Sequence, residues 1–189
     1  MKIILLRHGK PQLQTPERIK ANELHQWVNT YNSAGIDHIP APPAELTQLA
    51  QQCNTVVCSD LPRSIESARL LGIENIDYTD SLFREMQLPY GNWRTPNASP
   101  MFWAVLFRTL WFLGYAKNGE HIKQAKHRAK QATHKLEELA TASDSILFVG
   151  HGFMNRFIAR SLLANGWAGP SQPGRHYWDY AIYEYNRIA

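Results

Sequence analysis

Cysteine is scarce in this chain, and its scarcity excludes two kinds of site. The 189 residues include two cysteines, Cys53 and Cys58. They are five positions apart, so in one strand their side chains would point to opposite faces and could not form a disulfide bond. They also lack the repeated cysteine and histidine spacing of a zinc site. We therefore expect a reduced, cytoplasmic protein without a disulfide framework.

Long apolar runs are scarce as well. The apolar run near the N-terminus, residues 3–6, is too short for a secretory signal peptide. The longest apolar stretch, residues 101–115, contains Arg108 and is shorter than the ~20 residues that a membrane span needs. We expect neither a signal peptide nor contact with a membrane.

Strong charge of one sign is absent too. The formal net charge is +4, and no dense stripe of lysine and arginine alternates with aromatic residues, so we expect no nucleic-acid partner. A small positive excess suits a small anionic ligand. The hydrophobic fraction of 44% and the charged fraction of 19% exclude a mainly disordered chain. The length predicts one domain over residues 1–189.

Three short apolar runs predict buried strands. Residues 2–6, 55–59 and 145–150 lack polar alternation, as is typical of strands that are covered on both faces. Helical patterns between and after the runs cover residues 44–52, 62–72, 119–140 and 153–166. This alternation predicts a layered α/β fold with a mostly parallel sheet. Residues 176–186 fit a further strand, for which a place at the sheet edge is one option.

A loop followed by an aromatic helix interrupts this pattern. Residues 88–100 are rich in proline, glycine and asparagine, which predicts a loop, and a helix follows over residues 101–115. That helix is apolar nearly all round, which favours burial in the core. A pocket wall and a dimer interface are the alternatives, so a homodimer stays open. We expect residues 88–118 to form a cap or insertion over the site.

Charged residues follow all three predicted strands. Arg7 and His8 follow the first strand, Arg63 follows the second, and His151 follows the third. Ligands of open α/β sheets bind at the carboxyl ends of strands, where helix N-termini add N–H donors. Glycines follow both histidines, at Gly9 and Gly152, and let the backbone approach a ligand closely.

The side chains predicted at this edge point to a phosphate. Two guanidinium groups and two imidazoles would repel one another unless an anion lay between them, and the arginine fork fits phosphate oxygens. The same arginines oppose a metal cation, and the histidine spacings of metal sites are absent around His8 and His151. The chain also lacks the phosphate-loop, dinucleotide-binding and serine-hydrolase motifs.

Five segments resemble the histidine phosphatase superfamily, whose fold is like that of phosphoglycerate mutase. They are RHG after the first strand, SDLPRSIESARLL, LFREM, NGEHIKQAKHRA and VGHG before a helix. They occur in the family's order and span residues 3 to about 165. The resemblance implies a three-layer α/β/α sandwich. Glycine after His151, where other members carry aspartate, is similar to the branch of mutases and small phosphatases.

The resemblance also implies roles for the site residues. His8 would be the nucleophile that forms a phosphohistidine, and Arg7, Arg63 and His151 would hold the phosphate oxygens. Glu85 would protonate the leaving oxygen and later activate water, which requires a partly enclosed position. Gly9 and Gly152 would contact the phosphate. The resemblance implies that no metal and no organic cofactor is required.

The chain departs from the family's usual opening at three positions. Lys10, Pro11 and Gln14 stand where Glu, Thr and Asn are common. Gln14 could replace the amide contact to the phosphate with a longer reach, while Pro11 removes one backbone donor. The usual Gly-Glu-Ser segment has become Gly119-Glu120-His121.

These observations favour a phosphatase that hydrolyses a small phosphate monoester. The chain is short beside cofactor-dependent mutases, and their sugar-acid-binding arginines find no clear match, so a mutase is the alternative. A non-catalytic phospholigand-binding module on the same fold is the other. Aromatic residues between 93 and 115 suggest a substrate with an apolar or planar part, although they serve a core or a dimer contact equally well.

Overall fold

The computed structural model describes residues 1–186, which contain five strands and six α-helices. The strands are β1 (Lys2–Arg7), β2 (Thr55–Ser59), β3 (Tyr78–Asp80), β4 (Ser145–Gly150) and β5 (Tyr180–Glu184). The helices are α1 (Leu24–Ser33), α2 (Ala44–Gln51), α3 (Pro62–Leu70), α4 (Pro100–Phe112), α5 (Ile122–Ser143) and α6 (Gly152–Ala164). Short 3-10 helices cover Ala21–Glu23 and Ser81–Phe83.

The strands form one mixed sheet in the order β3-β2-β4-β1-β5. The first four strands are parallel, and β5 is antiparallel to β1 at the edge. Arg7 pairs with Gly150, and Cys58 pairs with Val149. The carboxyl ends of β1, β2 and β4 therefore lie side by side, which confirms the mostly parallel sheet and the edge position of the last strand.

Helices cover both faces of the sheet, because its central strands are apolar on both sides. In β1, Ile3 and Leu5 belong to the core shared with α5 and α6. Ile4 and Leu6 belong to the core shared with α2 and α3. All four side chains are fully buried. The alternation of side chains along a strand thus builds the three-layer α/β/α sandwich that the family resemblance implied.

Sequence signals at the helix starts agree with the structure. Pro62 and Pro100 occupy the first turns of α3 and α4, where a missing N–H costs nothing. Ser99 caps α4, because its hydroxyl accepts the Phe102 N–H at 3.1 Å. No helix within residues 1–186 combines the length and apolar character that a bilayer crossing requires.

A second, smaller body of structure stands beside the sandwich, and we call it the cap. It comprises residues 19–33 and 88–118, which an antiparallel bridge joins at Ile19 and Ala98. The indole N–H of Trp103 donates to the Ile19 carbonyl at 2.9 Å. The small core of the cap contains the buried residues Ile19, Ala21, Leu24, Trp103 and Phe107. From the sequence we expect residues 88–118 to cover the site, and that role stays a prediction.

Helix α4 is buried on one face only, so the prediction of burial all round was wrong. Trp103, Phe107 and Trp111 face inward and are nearly inaccessible. The opposite face carries five side chains that are between 49% and 79% exposed: Met101, Phe102, Val105, Phe112 and Leu113. The helix lies on the outside of the cap, so α1 and the sandwich cover one of its sides.

Candidate active site

Four of the predicted site residues meet at the carboxyl edge of the sheet. The Nε of Arg63 donates to the Nε2 of His8 at 3.2 Å. The rings of His8 and His151 have centroids 5.0 Å apart. Arg7 directly precedes His8 at the end of β1. Segments far apart in sequence therefore form one cationic cluster, because neighbouring parallel strands end at the same level.

His8 is held in one tautomer. Because the Arg63 guanidinium is always a donor, Nε2 of His8 must accept, and the ring proton must lie on Nδ1. Nδ1 is 2.7 Å from the Gly9 carbonyl oxygen, to which it donates. Burial and the charge of Arg63 lower the pKa of His8 to about 3. The ring is therefore neutral at physiological pH, and its lone pair is on Nε2.

Arg63 is fixed by the cap as well as by His8. Its Nη1 donates to the Tyr31 carbonyl at 3.1 Å, and both terminal nitrogens lie 3.3 Å from the side-chain oxygen of Asn32. The Tyr31 ring lies 4.7 Å from its guanidinium carbon. Arg63 is 1% exposed. Helix α1 thus sets the plane of an arginine that belongs to the sheet edge.

Arg7 and His151 keep buried nitrogens without hydrogen-bond partners. Among residues 1–186, nothing bonds the Nε of Arg7 or either ring nitrogen of His151. Tyr177 covers the Arg7 guanidinium at 4.6 Å, and Nη1 of Arg7 donates to the Arg175 carbonyl. Burial, and then the neighbouring His8 and Arg63, hold the pKa of His151 well below its usual value. Unpaired buried donors are costly, so they suit a ligand that accepts hydrogen bonds.

Glu85 reaches this cluster from the segment after β3. Its carboxylate accepts the N–H groups of Phe153 and Met154 at 2.9–3.1 Å, in the first turn of α6. A Cβ built on Gly152 would lie 3.6 Å from the Arg7 guanidinium carbon and 3.7 Å from the carboxylate of Glu85. The carboxylate and Arg7 therefore flank Gly152. Glu85 is half-buried, the partly enclosed position that was expected.

The structure does not place Gly9 and Gln14 as the phosphate contacts that the sequence predicted. The N–H of Gly9 donates to the Ser67 hydroxyl at 2.8 Å, and a Cβ at Gly9 would collide with the Trp178 ring. Glycine is required at position 9 because the Trp178 indole occupies the space of a side chain, rather than because a ligand approaches the backbone there. Gln14 is exposed and does not line the cleft beside the cluster. Lys10 forms an exposed ion pair with Asp37 at 3.8 Å.

A cleft of about 970 Å³ lies between the cap and the sheet edge. Arg7, Arg63 and Glu85 line the cleft, whereas the buried rings of His8 and His151 are not part of its lining. The cleft wall also includes residues that the sequence did not single out: Leu24, Trp27, Tyr31, Asn32, Tyr90, Arg108 and Tyr177. Their contribution depends on long-range packing, which leaves no local sequence signal.

The aromatic residues between 93 and 115 serve the cap core more than the cleft. Trp93 stacks on Phe107 at 5.1 Å and lies 5.7 Å from Tyr115. None of these three rings lines the cleft, whose aromatic wall comes from α1, Tyr90 and Tyr177. For these three rings the structure favours a role in the cap core over one in the cleft wall.

Comparisons with known proteins agree with the fold. The family model of the histidine phosphatase superfamily (branch 1) matches residues 3–187. Three similar solved structures are the Rv3214 protein of Mycobacterium tuberculosis (21% identity, 99% of this chain and 92% of that one, TM-score 0.64), a mycobacterial glucosyl-3-phosphoglycerate phosphatase with VO3 (18%, 96% and 91%, 0.60) and YhfR of Bacillus stearothermophilus (16%, 98% and 92%, 0.61). By sequence alone, no curated protein matches.

Proposed function

Because the chain belongs to branch 1 of the histidine phosphatase superfamily, we propose that it hydrolyses a phosphate monoester through a phosphohistidine on His8. One observation carries this proposal. The Nε2 of His8 is an unprotonated ring nitrogen in a cluster with two guanidinium groups and the unpaired nitrogens of His151. Such a set combines a nucleophile with donors for the phosphate oxygens.

In the first step, Nε2 of His8 attacks phosphorus, and the bond between phosphorus and the ester oxygen breaks. Glu85 in its acid form gives its proton to the departing oxygen, which leaves as an alcohol. Nδ1 keeps its proton, and its hydrogen bond to the Gly9 carbonyl stabilises the positive charge that forms on the ring. Arg7 and Arg63 neutralise the phosphoryl oxygens during this transfer.

In the second step, a water molecule attacks the phosphohistidine. Glu85, now a carboxylate, takes the proton of that water, and the bond between Nε2 and phosphorus breaks to release inorganic phosphate. His151 contributes most when protonated. Its pKa is low in the free site because of burial and positive neighbours, and a bound phosphate dianion opposes that effect.

The cleft supports a small organic leaving group. Its volume of about 970 Å³ exceeds what a phosphate alone requires, and apolar and aromatic side chains of the cap form part of its wall. A small-molecule phosphate ester fits this description. One similar structure is described as a glucosyl-3-phosphoglycerate phosphatase and another as a putative α-ribazole-5'-P phosphatase. The cytoplasmic location stays a prediction.

The test compares hydrolysis of para-nitrophenyl phosphate by the wild type, His8→Ala and His134→Ala between pH 5 and 8. We expect turnover by the wild type, a loss of about 10⁴-fold or more in His8→Ala, and no change in His134→Ala, whose histidine is exposed on α5. Rapid quenching with labelled substrate should trap an acid-labile phosphoryl group on His8.

Three results would count against the proposal. Absence of turnover at every pH would refute a phosphatase and favour a phospholigand-binding module. Full activity of His8→Ala would refute the phosphohistidine. Interconversion of phosphoglycerates that strongly exceeds their hydrolysis would make the chain a mutase.

A further inference from the structure

Two arginines outside the phosphate cluster grip the backbone that carries Glu85. Nη1 of Arg128, on α5, donates to the carbonyls of Leu82 and Arg84 at 2.9 and 2.7 Å. Its Nη2 lies 3.3 Å from the carbonyl of Glu85 itself. Nη2 of Arg108, on α4, donates to the next carbonyl, that of Met86, at 2.8 Å. Four of the five carbonyls from 82 to 86 thus accept from two side chains.

Other side chains also contact the guanidinium groups of Arg128 and Arg108. Glu120 binds Arg128 with both carboxylate oxygens at 2.8 Å, and the two side chains are only 12% and 20% exposed. A two-point pair of this kind fixes the orientation of the guanidinium as well as its position. The Arg108 guanidinium lies over two rings, 4.9 Å from that of Trp111 and 4.5 Å from that of Phe153.

These side-chain hydrogen bonds hold a segment that lacks regular secondary structure. Residues 85–90 belong to no helix or strand, so no ladder of backbone hydrogen bonds sets the course of the chain there. A general acid must nevertheless stay within hydrogen-bond reach of the leaving oxygen, and displacement by about 1 Å can cost about 10²-fold in rate. The two arginines add backbone hydrogen bonds that no helix or strand supplies there, beside the core packing of Phe83 and Met86.

We propose that Arg128 is a positioning residue for Glu85, a role that rests on the proposed function. Its N–H groups are taken up by Glu120 and by carbonyls of the segment, so it does not act on the ester. It fixes the pivot about which the Glu85 side chain moves between the N–H groups of α6 and the leaving oxygen. Its effect must therefore appear in proton donation to the leaving group, and it must be small where the leaving group needs no proton.

The test varies the leaving group. Phenyl phosphate releases a strongly basic phenolate that needs a proton, whereas 2,4-dinitrophenyl phosphate releases a weakly basic one. The ratio kcat/KM is the readout, because it covers only the steps up to formation of the phosphohistidine. For Arg128→Lys we expect a loss of about 10- to 100-fold with phenyl phosphate and of less than about 3-fold with the dinitro ester. Glu85→Gln should show the same selectivity with larger losses.

Two further variants sharpen the result. In the Glu85→Gln background, Arg128→Lys should cause no additional loss with phenyl phosphate, because the acid that it positions is gone. The matched control is Arg69→Lys, on α3. The side chain of Arg69 is exposed and does not line the cleft, so both esters should react within about 2-fold of the wild type.

Glu120→Gln covers the case in which Arg128→Lys does not fold. It keeps the shape of the pair but weakens the hold on Arg128, and it should reproduce the selective loss at reduced size. Equal losses with both esters, or additive losses in the double variant, overturn the positioning role alone. A wild type that hydrolyses neither ester overturns the proposed function and the positioning role together.

Discussion

The sheet edge and the cap both contribute to one cleft, but they differ in how deeply their residues are buried. At the edge, the arginine and histidine side chains lie at or just beyond the ends of strands whose central residues are buried, so the backbone that bears them has little freedom. The cap has a core of five buried residues and an α4 face that stays exposed. The arginines and histidines thus lie on the more rigid part of the molecule, and the cap side of the cleft wall lies on the more flexible part. This is the usual division between scaffold and recognition surface.

The strongest challenge to this comparison is to remove one phenylalanine from each core. Phe148 in β4 and Phe107 in α4 are both 0% exposed. We expect Phe148→Ala to lower the free energy of unfolding by about 3–5 kcal/mol, because it opens a cavity in the main core. Phe107→Ala should cost less in the global transition, since the cap can open locally, and should mainly raise KM. Urea denaturation and hydrogen exchange measure both effects; equal losses in one cooperative transition would contradict the division.

A smaller effect concerns acid. The pKa of His8 is about 3 in the folded protein and near ~6.5 in an unfolded chain, so between these values the unfolded state binds more protons. Stability from this group is therefore fully present above about pH 6.5 and is lost as the pH falls toward 3. Tm should drop between pH 7 and 4, and His8→Asn should reduce that drop by several degrees. His25→Asn in the cap serves as the control and should leave the drop unchanged; equal slopes in all three proteins would contradict this account.

The smallest expected effect lies on the outer face of α4. Leu113 is 79% exposed, so Leu113→Lys should change the free energy of unfolding by less than about 0.5 kcal/mol. Thermal unfolding and sedimentation would be measured together. A large loss of stability, or a change from dimer to monomer, would show that this face is covered in solution and that the cap is less exposed than its helix suggests.

Strand positions and their charged successors could be predicted from the sequence, because both are local. The continuous apolar runs 55–59 and 145–150 coincide with β2 and β4, since a strand covered on both faces needs no polar alternation. Arg7, His8 and His151 followed from the places where such runs end. Their convergence needed only the rule that parallel strands present their carboxyl ends together.

Features that depend on distant contacts could not be predicted. Helix α1 has a mixed composition, and the chain just before it is joined at Ile19 to the second segment of the cap by hydrogen bonds. Strand β3 is three residues long and forms by pairing with β2. The spacing of Gly119 and Arg128 was visible in the sequence, but the carbonyls that Arg128 binds lie more than 40 positions away.

The Trp178 indole occupies the space that a side chain at Gly9 would need, and the chain around Trp178 also pairs with the end of β1. The backbone N–H of Trp178 donates to the Arg7 carbonyl at 3.2 Å, and the backbone N–H of Arg7 donates to the carbonyl of Asp179 at 3.0 Å. The strand that carries His8 is therefore completed by residues that are synthesised long after it. A nascent chain cannot form the proposed phosphate site until Trp178 and Asp179 have been made, and a chain truncated before Trp178 would have an incomplete one.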